Sequence, residues 1–190
     1  SGTSVARDFV ELPSQLYEHW LEQPEVLQKF AIHAETGEPM PRDLLKRMLG
    51  AANFDMGFQT VEYIASALVD LKFHEGPAPV DIMARQAEIL SEINMPSAIG
   101  MRHATPQFAH VFAGDGYSSA YYSYMWSEVM DADAFASFES LGGAFDPERA
   151  QSLHDCILSK GGSEDAEQLY LAFRGRMPDA SALLKNRGLD

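Results

Sequence analysis

Two stretches of this sequence concentrate side chains able to do chemistry. The first runs Asp8-Phe9-Val10-Glu11-Leu12-Pro13-Ser14-Gln15 and continues to Tyr17, Glu18 and Trp20. Its acids Glu11, Glu18 and Glu22 fall at i, i+7 and i+11, near one face of a helix. That spacing by itself describes an ordinary solvated stripe; the functional reading is a carboxylate held for metal ligation or general-base work. Glu11 is embedded among Phe9, Val10, Leu12 and Pro13, and a carboxylate in apolar surroundings must be paired, protonated or bound to a cation.

The second stretch carries Arg102-His103, then His110, then Ala113-Gly114-Asp115-Gly116-Tyr117, then Tyr121-Tyr122-Ser123-Tyr124-Met125-Trp126. Tyr117, Tyr121 and Tyr124 are spaced i, i+4 and i+7, which predicts one phenolic stripe on a helix. An aromatic stripe is an ordinary core feature, but three phenols are harder to bury than three phenylalanines because each hydroxyl wants a partner. Phenols and a histidine held together can donate hydrogen bonds to a developing oxyanion. Gly114 and Gly116 just ahead of them allow close backbone approach to a ligand.

The elements that must position these groups read as helices almost throughout, so the fold class is all-α. A first helix is predicted from about Asp8 or Pro13 to Glu22, and a second from Pro24 to a stop near Thr36-Gly37. A long pattern from Arg42 to Phe73 divides at Gly50 or Asn53, and Gly76-Pro77-Ala78-Pro79 breaks the chain before a helix over Val80 to Ile93. Residues 94–116 read as a long loop with one short helix, and long loops in compact domains often carry function. A helix from Tyr117 to Glu139 follows. Others start after Asp146-Pro147 and after Ser163-Glu164-Asp165, with a short last one near Asp179 to Lys185.

Composition narrows the partners. Hydrophobic residues make up 46% and charged residues 22%, as in a globular protein, and no run reaches the roughly 18 apolar residues of a membrane span. Fourteen Lys and Arg against 28 Asp and Glu give a net charge of -14. The densest basic group, Arg42, Lys46 and Arg47, is a single solvated helix face, so neither nucleic acid nor an anionic membrane is an expected partner. Cys156 is the only cysteine, which excludes an internal disulfide and fits a reducing, cytoplasmic compartment. His154 lies two residues from it and points to another face, so no Cys/His nucleophile is expected there.

The segment from Gly2 to Gln15 resembles the stretch that follows the zinc-binding helix in the thimet-oligopeptidase-like metallopeptidases, a group that includes peptidyl-dipeptidases and oligopeptidase A. The segment His110 to Val129, ending Tyr121-Tyr122-Ser123-Tyr124-Met125-Trp126-Ser127-Glu128-Val129, resembles the family's glycine-rich substrate loop and tyrosine helix. The similarity runs to Asp190 and is nearest to bacterial peptidyl-dipeptidases. It implies one zinc ion held by two histidines of a His-Glu-x-x-His helix and by a glutamate that aligns with Glu11. It also implies that Tyr124 stabilises the oxyanion, that Tyr117 and His110 contact the substrate backbone, and that Gly114, Gly116 and Tyr121 bind substrate.

Two departures qualify the match. The 190 residues contain no His-Glu-x-x-His, and Asp115 separates the two glycines that are adjacent in the family loop. The chain is therefore expected to be the C-terminal helical portion of a catalytic domain, one unit over residues 1–190, with the missing motif upstream of Ser1. In the full-length parent it would serve zinc-dependent hydrolysis of short peptides, as a peptidyl-dipeptidase releasing C-terminal dipeptides. The isolated chain is expected to be inert, to hold no zinc tightly, and to partner the N-terminal half of the same enzyme or self-associate through exposed cleft surface. Arg102 is the candidate clamp for a substrate carboxylate. The competing expectation is a non-catalytic helical interaction module.

Overall fold

A computed structural model describes residues 2–189. Ser1 and Asp190, the ends of the predicted unit, lie outside the described residues. Ten α-helices account for the ordered elements: α1 (Leu12–Glu18), α2 (Pro24–Phe30), α3 (Arg42–Gly50), α4 (Met56–His74), α5 (Ile82–Glu92), α6 (Ala109–Phe112), α7 (Ser123–Leu141), α8 (Pro147–Leu153), α9 (Ala166–Arg174) and α10 (Ser181–Asn186). Short 3-10 turns cover His19–Glu22 and Thr105–Gln107, and a π turn covers His154–Leu158. Among the described residues the protein is all-α; its one β feature is an isolated antiparallel bridge between Ile32 and Pro39. No described helix is long and apolar enough to cross a membrane.

Local chemistry accounts for the helix starts. Pro13 and Pro24 occupy first-turn positions, where the missing N–H costs nothing. Asp81, Asp146 and Asp165 each accept a backbone N–H of the first turn, from Ala84 at 2.9 Å, Arg149 at 2.8 Å and Glu167 at 3.0 Å. The division of the 42–73 pattern falls between Gly50 and Met56, where Asp55 takes a left-handed φ of 56°.

Two predicted boundaries need correction. The second helix stops at Phe30 rather than near Gly37: Ala31 leaves helical geometry, and Ile32 instead pairs with Pro39 across a turn in which Gly37 has φ +71°. His33 secures that turn, its ring accepting the N–H groups of Glu35 and Thr36. The helix predicted from Tyr117 begins at Ser123, because Ser119 at φ 56° cannot sit inside a right-handed helix.

Contacts divide the chain into two compact units, Ser1–Phe54 with Met125–Asp190, and Asp55–Tyr124. In the first unit α7 is buried on nearly every side from Met130 to Phe135, so it serves as the central rod. Leu12, Leu16, Phe138, Tyr170 and Phe173 pack with it as one apolar cluster. Its Asp133 is answered within this unit. Asp133 takes the Tyr170 hydroxyl at 2.8 Å and the Arg174 Nε at 2.9 Å, and Arg176 completes the pair. Trp20 stands edge-on to Phe135 and Phe138 and donates its indole N–H to the Ala144 carbonyl at 2.8 Å. The strand of chain that leads into Glu11 rests against Gly162, where any Cβ would collide with the Ser4 carbonyl oxygen.

In the second unit α4 packs on α5. The α5 side chain of Gln86 accepts both the N–H and the hydroxyl of Thr105, at 2.8 and 2.9 Å, which ties the 94–108 loop to that helix. Phe108, Val111 and Tyr121 form this unit's buried cluster, with Tyr63, Ala67 and Tyr124 against them.

Candidate active site

The second unit brings together four of the predicted site residues. The Tyr124 hydroxyl lies 3.0 Å from His110 Nε2 and donates to the Tyr117 hydroxyl at 3.0 Å. The rings of Tyr117 and Tyr124 stack nearly parallel, 5.9 Å apart with a 4° interplanar angle. His110 stands perpendicular to both, 4.5 Å from Tyr117 and 5.7 Å from Tyr124, and it also meets Tyr121 edge-on. Two phenols and an imidazole therefore converge at one point, and His110 is exposed while Tyr117 and Tyr124 are half-buried. A hydrogen-bonded, partly desolvated group of donors of this kind is suited to stabilising negative charge on an oxygen.

The route by which they converge is not helical periodicity. Tyr117 and Tyr121 precede α7, and only Tyr124 is on it. A tight, non-helical turn over residues 117–122 folds Tyr117 back so that its ring lies on that of Tyr124. Tyr121 points inward, and burial pushes its phenol pKa up, opposed by the positive charge of Arg102 and reinforced by Glu62. Tyr121 is thus the floor of the cluster, with its ring edge-on to Phe108 at 4.8 Å.

α4 shapes this turn. Its residues Tyr63, Asp70 and His74 share one face, at i, i+7 and i+11. The Tyr63 hydroxyl donates to the Tyr121 carbonyl oxygen. The Asp70 carboxylate accepts the backbone N–H of Ser119 through Oδ1 and that of Tyr121 through Oδ2, both at 2.9 Å. His74 Nδ1 is 2.9 Å from Asp70 Oδ1, and its ring stacks on Phe112 at the end of α6. Sequence reasoning missed Asp70 and His74. The available signal was Asp70 itself, an acid within the apolar run from Ile64 to Leu71.

Gly114 and Gly116 lie in the exposed turn between His110 and Tyr117. Neither has positive φ, and a Cβ at either would meet no atom of the described chain. Nothing within the described chain requires glycine at these two positions. Arg102 is exposed, and its charge acts on Tyr121 from the same unit.

Glu11 belongs to the first unit. It is half-buried at the N-terminal cap position of α1, where the Ser14 hydroxyl donates to its Oε2 at 2.7 Å and to its backbone oxygen at 2.9 Å. Glu18 and Glu22 are exposed, at the end of α1 and in the following 3-10 turn. Among the described residues no three His, Cys, Asp or Glu are grouped so as to hold a metal ion. The donor set around Glu11 fits one ligand of a shared site, not a site complete in itself. Cys156 is half-buried against the first unit's core, and exposed His154 is engaged by Asp155.

The chain is similar to known proteins along its whole described length. The sequence profile of peptidase family M3 matches residues 1–189. The chain is 39% identical over 195 residues to a dipeptidyl carboxypeptidase of Salmonella typhimurium, covering all of this chain and 28% of that protein. It is 40% identical over 196 residues to oligopeptidase A of Escherichia coli, again covering all of this chain and 28% of the relative. A probable cytosolic oligopeptidase A of Arabidopsis thaliana is 35% identical over 199 residues, covering 98% of this chain and 27% of the relative. The chain spans little more than a quarter of the length of these relatives.

Proposed function

This chain belongs to peptidase family M3, and on that premise we propose that it supplies the oxyanion-stabilising phenols and one metal ligand of a zinc-dependent peptidase acting on short peptides. The observation that carries the proposal is the convergence of Tyr124, Tyr117 and His110. Tyr124 donates its phenolic proton to the substrate's carbonyl oxygen as that oxygen gains charge. In the resting chain that proton points at the Tyr117 oxygen, and only a rotation of the hydroxyl hydrogen is needed to turn it to the substrate. With Nε2 protonated, His110 donates to the Tyr124 oxygen, so the Tyr124 proton can turn from Tyr117 to the substrate. Tyr117 and the exposed edge of His110 border the space where a peptide backbone would lie, and the open surface at Gly114 and Gly116 leaves room for it.

Glu11 would be one of the zinc ligands, with Ser14 fixing the carboxylate by its hydrogen bond to Oε2. Zinc, when bound, would supply Lewis-acid polarisation and an activated water. The cleavage mode we propose is release of C-terminal dipeptides, with the exposed Arg102 guanidinium clamping the substrate carboxylate. A cytoplasmic setting belongs to the same proposal, and the single cysteine supports it. The isolated chain would be inert and would self-associate through its exposed apolar side chains.

The test is the full-length enzyme and its Tyr124→Phe variant, assayed on a short peptide with a free and with an amidated C-terminus. A kcat loss of about 100-fold or more at nearly unchanged KM is expected for the variant. Amidation should abolish cleavage if Arg102 clamps the carboxylate. Undiminished turnover by the variant rejects the role of Tyr124.

A further inference from the structure

We propose that Asp70 is the positioning residue of the phenol cluster: its buried carboxylate holds the 117–122 turn in the one conformation that stacks Tyr117 on Tyr124. The claim rests on the function proposed above only for its catalytic consequence. The structural part stands by itself.

Asp70 is 1% exposed, yet both of its oxygens are spent on backbone N–H groups of a non-helical turn 49 and 51 residues away. A carboxylate buried to this depth is costly unless it is fully hydrogen-bonded and its charge is answered. His74, one helical turn on, brings its Nδ1 to 2.9 Å from Asp70 Oδ1 and to 2.8 Å from the Asp70 backbone oxygen. The turn has no regular ladder of its own, and Ser119 within it is held at φ 56°, a conformation that disfavours a non-glycine residue. Something outside the turn must offset that strain, and the two bonds to Asp70 bracket Ser119 on its own N–H and on the N–H two residues later. Tyr63, from the same helix face, takes the carbonyl of Tyr121. α4 thus reads the turn through its backbone while leaving the side chains of Tyr117 and Tyr124 toward each other. Nothing in the pairing of the two phenols explains why this turn, rather than a continuous helix from Tyr117, is adopted. Asp70 does, because a helix from Tyr117 would place the Tyr121 N–H on the Tyr117 carbonyl instead and leave the Ser119 N–H among its unpaired first-turn donors.

The experiment uses the full-length protein and amide hydrogen exchange read by NMR. In the unmodified chain the Ser119 and Tyr121 amides should exchange at least tenfold more slowly than those of Gly114 and Gly116, although all four lie outside helices. Equal rates would overturn the proposal without any mutant. In Asp70→Asn one of the two acceptors becomes a donor. Exchange at Ser119 and Tyr121 should then rise at least tenfold and the ring contact between Tyr117 and Tyr124 should be lost, while α5 amides such as Ile89 keep their rates. A uniform rise across 55–124 would mean that Asp70 is merely structural, and would equally overturn it. In the full-length enzyme the same substitution should lower kcat about tenfold with KM within about twofold, with kcat taken per folded enzyme as measured by circular dichroism, because loss of folded protein lowers apparent kcat in the same way. If the full-length enzyme hydrolyses no peptide, the proposed function fails while the exchange result still decides the role of Asp70.

Discussion

The Tyr124 hydroxyl and His110 Nε2 lie 3.0 Å apart, although 14 residues and a glycine-rich turn separate them in the chain. The contact makes the two side chains one donor assembly rather than two independent ones. In the full-length enzyme, Tyr124→Phe and His110→Ala should therefore be strongly non-additive in kcat: the double variant should lose little more than the worse single one. A double-mutant cycle on steady-state kinetics checks this, and strict additivity would show that the two act separately.

Glu11 offers one carboxylate, already engaged by Ser14. A zinc titration of the 190-residue chain followed by calorimetry should show no saturable binding at micromolar metal. The full-length enzyme should retain zinc through dialysis, and its Glu11→Gln variant should lose it, as measured by elemental analysis.

Asp133 is 1% exposed and answers Arg174, Arg176 and the Tyr170 hydroxyl together. Asp133→Ala would remove the carboxylate that Arg174 and Tyr170 share in the core. The expected loss is about 3 kcal/mol or more in urea unfolding of this chain, the usual outcome of removing one member of a buried ion pair. A change below about 0.5 kcal/mol, the range of ordinary surface substitutions, would show that water reaches the arginines instead.

Asp131 is a different case. Burial pushes its pKa up to about 6, against the opposing effect of its hydrogen bond with His19 at 2.7 Å. Its folded pKa lies above its unfolded value of 3.8, so between these two the native state holds the extra proton. Stability from this group is therefore greatest below about pH 4 and declines as pH rises through 6, by an amount on the order of 3 kcal/mol. Asp131→Asn should flatten that decline, so that the variant gains on the parent chain at pH 8 relative to pH 4. Urea midpoints at the two pH values measure the difference, and equal differences would show that Asp131 does not titrate in this window.

The parts of this fold that were legible in the sequence are those set by neighbours in the chain. Asp146 before Pro147, and Asp165 before its helix, could be read as caps because their partners are two or three residues away. Gly37 misled because a left-handed glycine ends a helix and turns a hairpin equally well, and the choice here was made by the Ile32–Pro39 bridge. The tyrosine spacing pointed to the right residues through the wrong geometry: the rings meet because of a turn, not because of a helix face. Asp70 was invisible for a plainer reason. Its partners are backbone N–H groups 49 and 51 residues distant, and such groups have no side-chain signature.

The crowded position at Gly162 carries a consequence for the order of events as the chain folds. Ser4 can seat there only when the far end of the sequence has already been shaped into α8 and α9, a closure spanning nearly the whole chain. Contacts of such long range form late. The segment that delivers Glu11 thus waits on α8 and α9, and a polypeptide still being made would carry that carboxylate unseated until those helices had emerged.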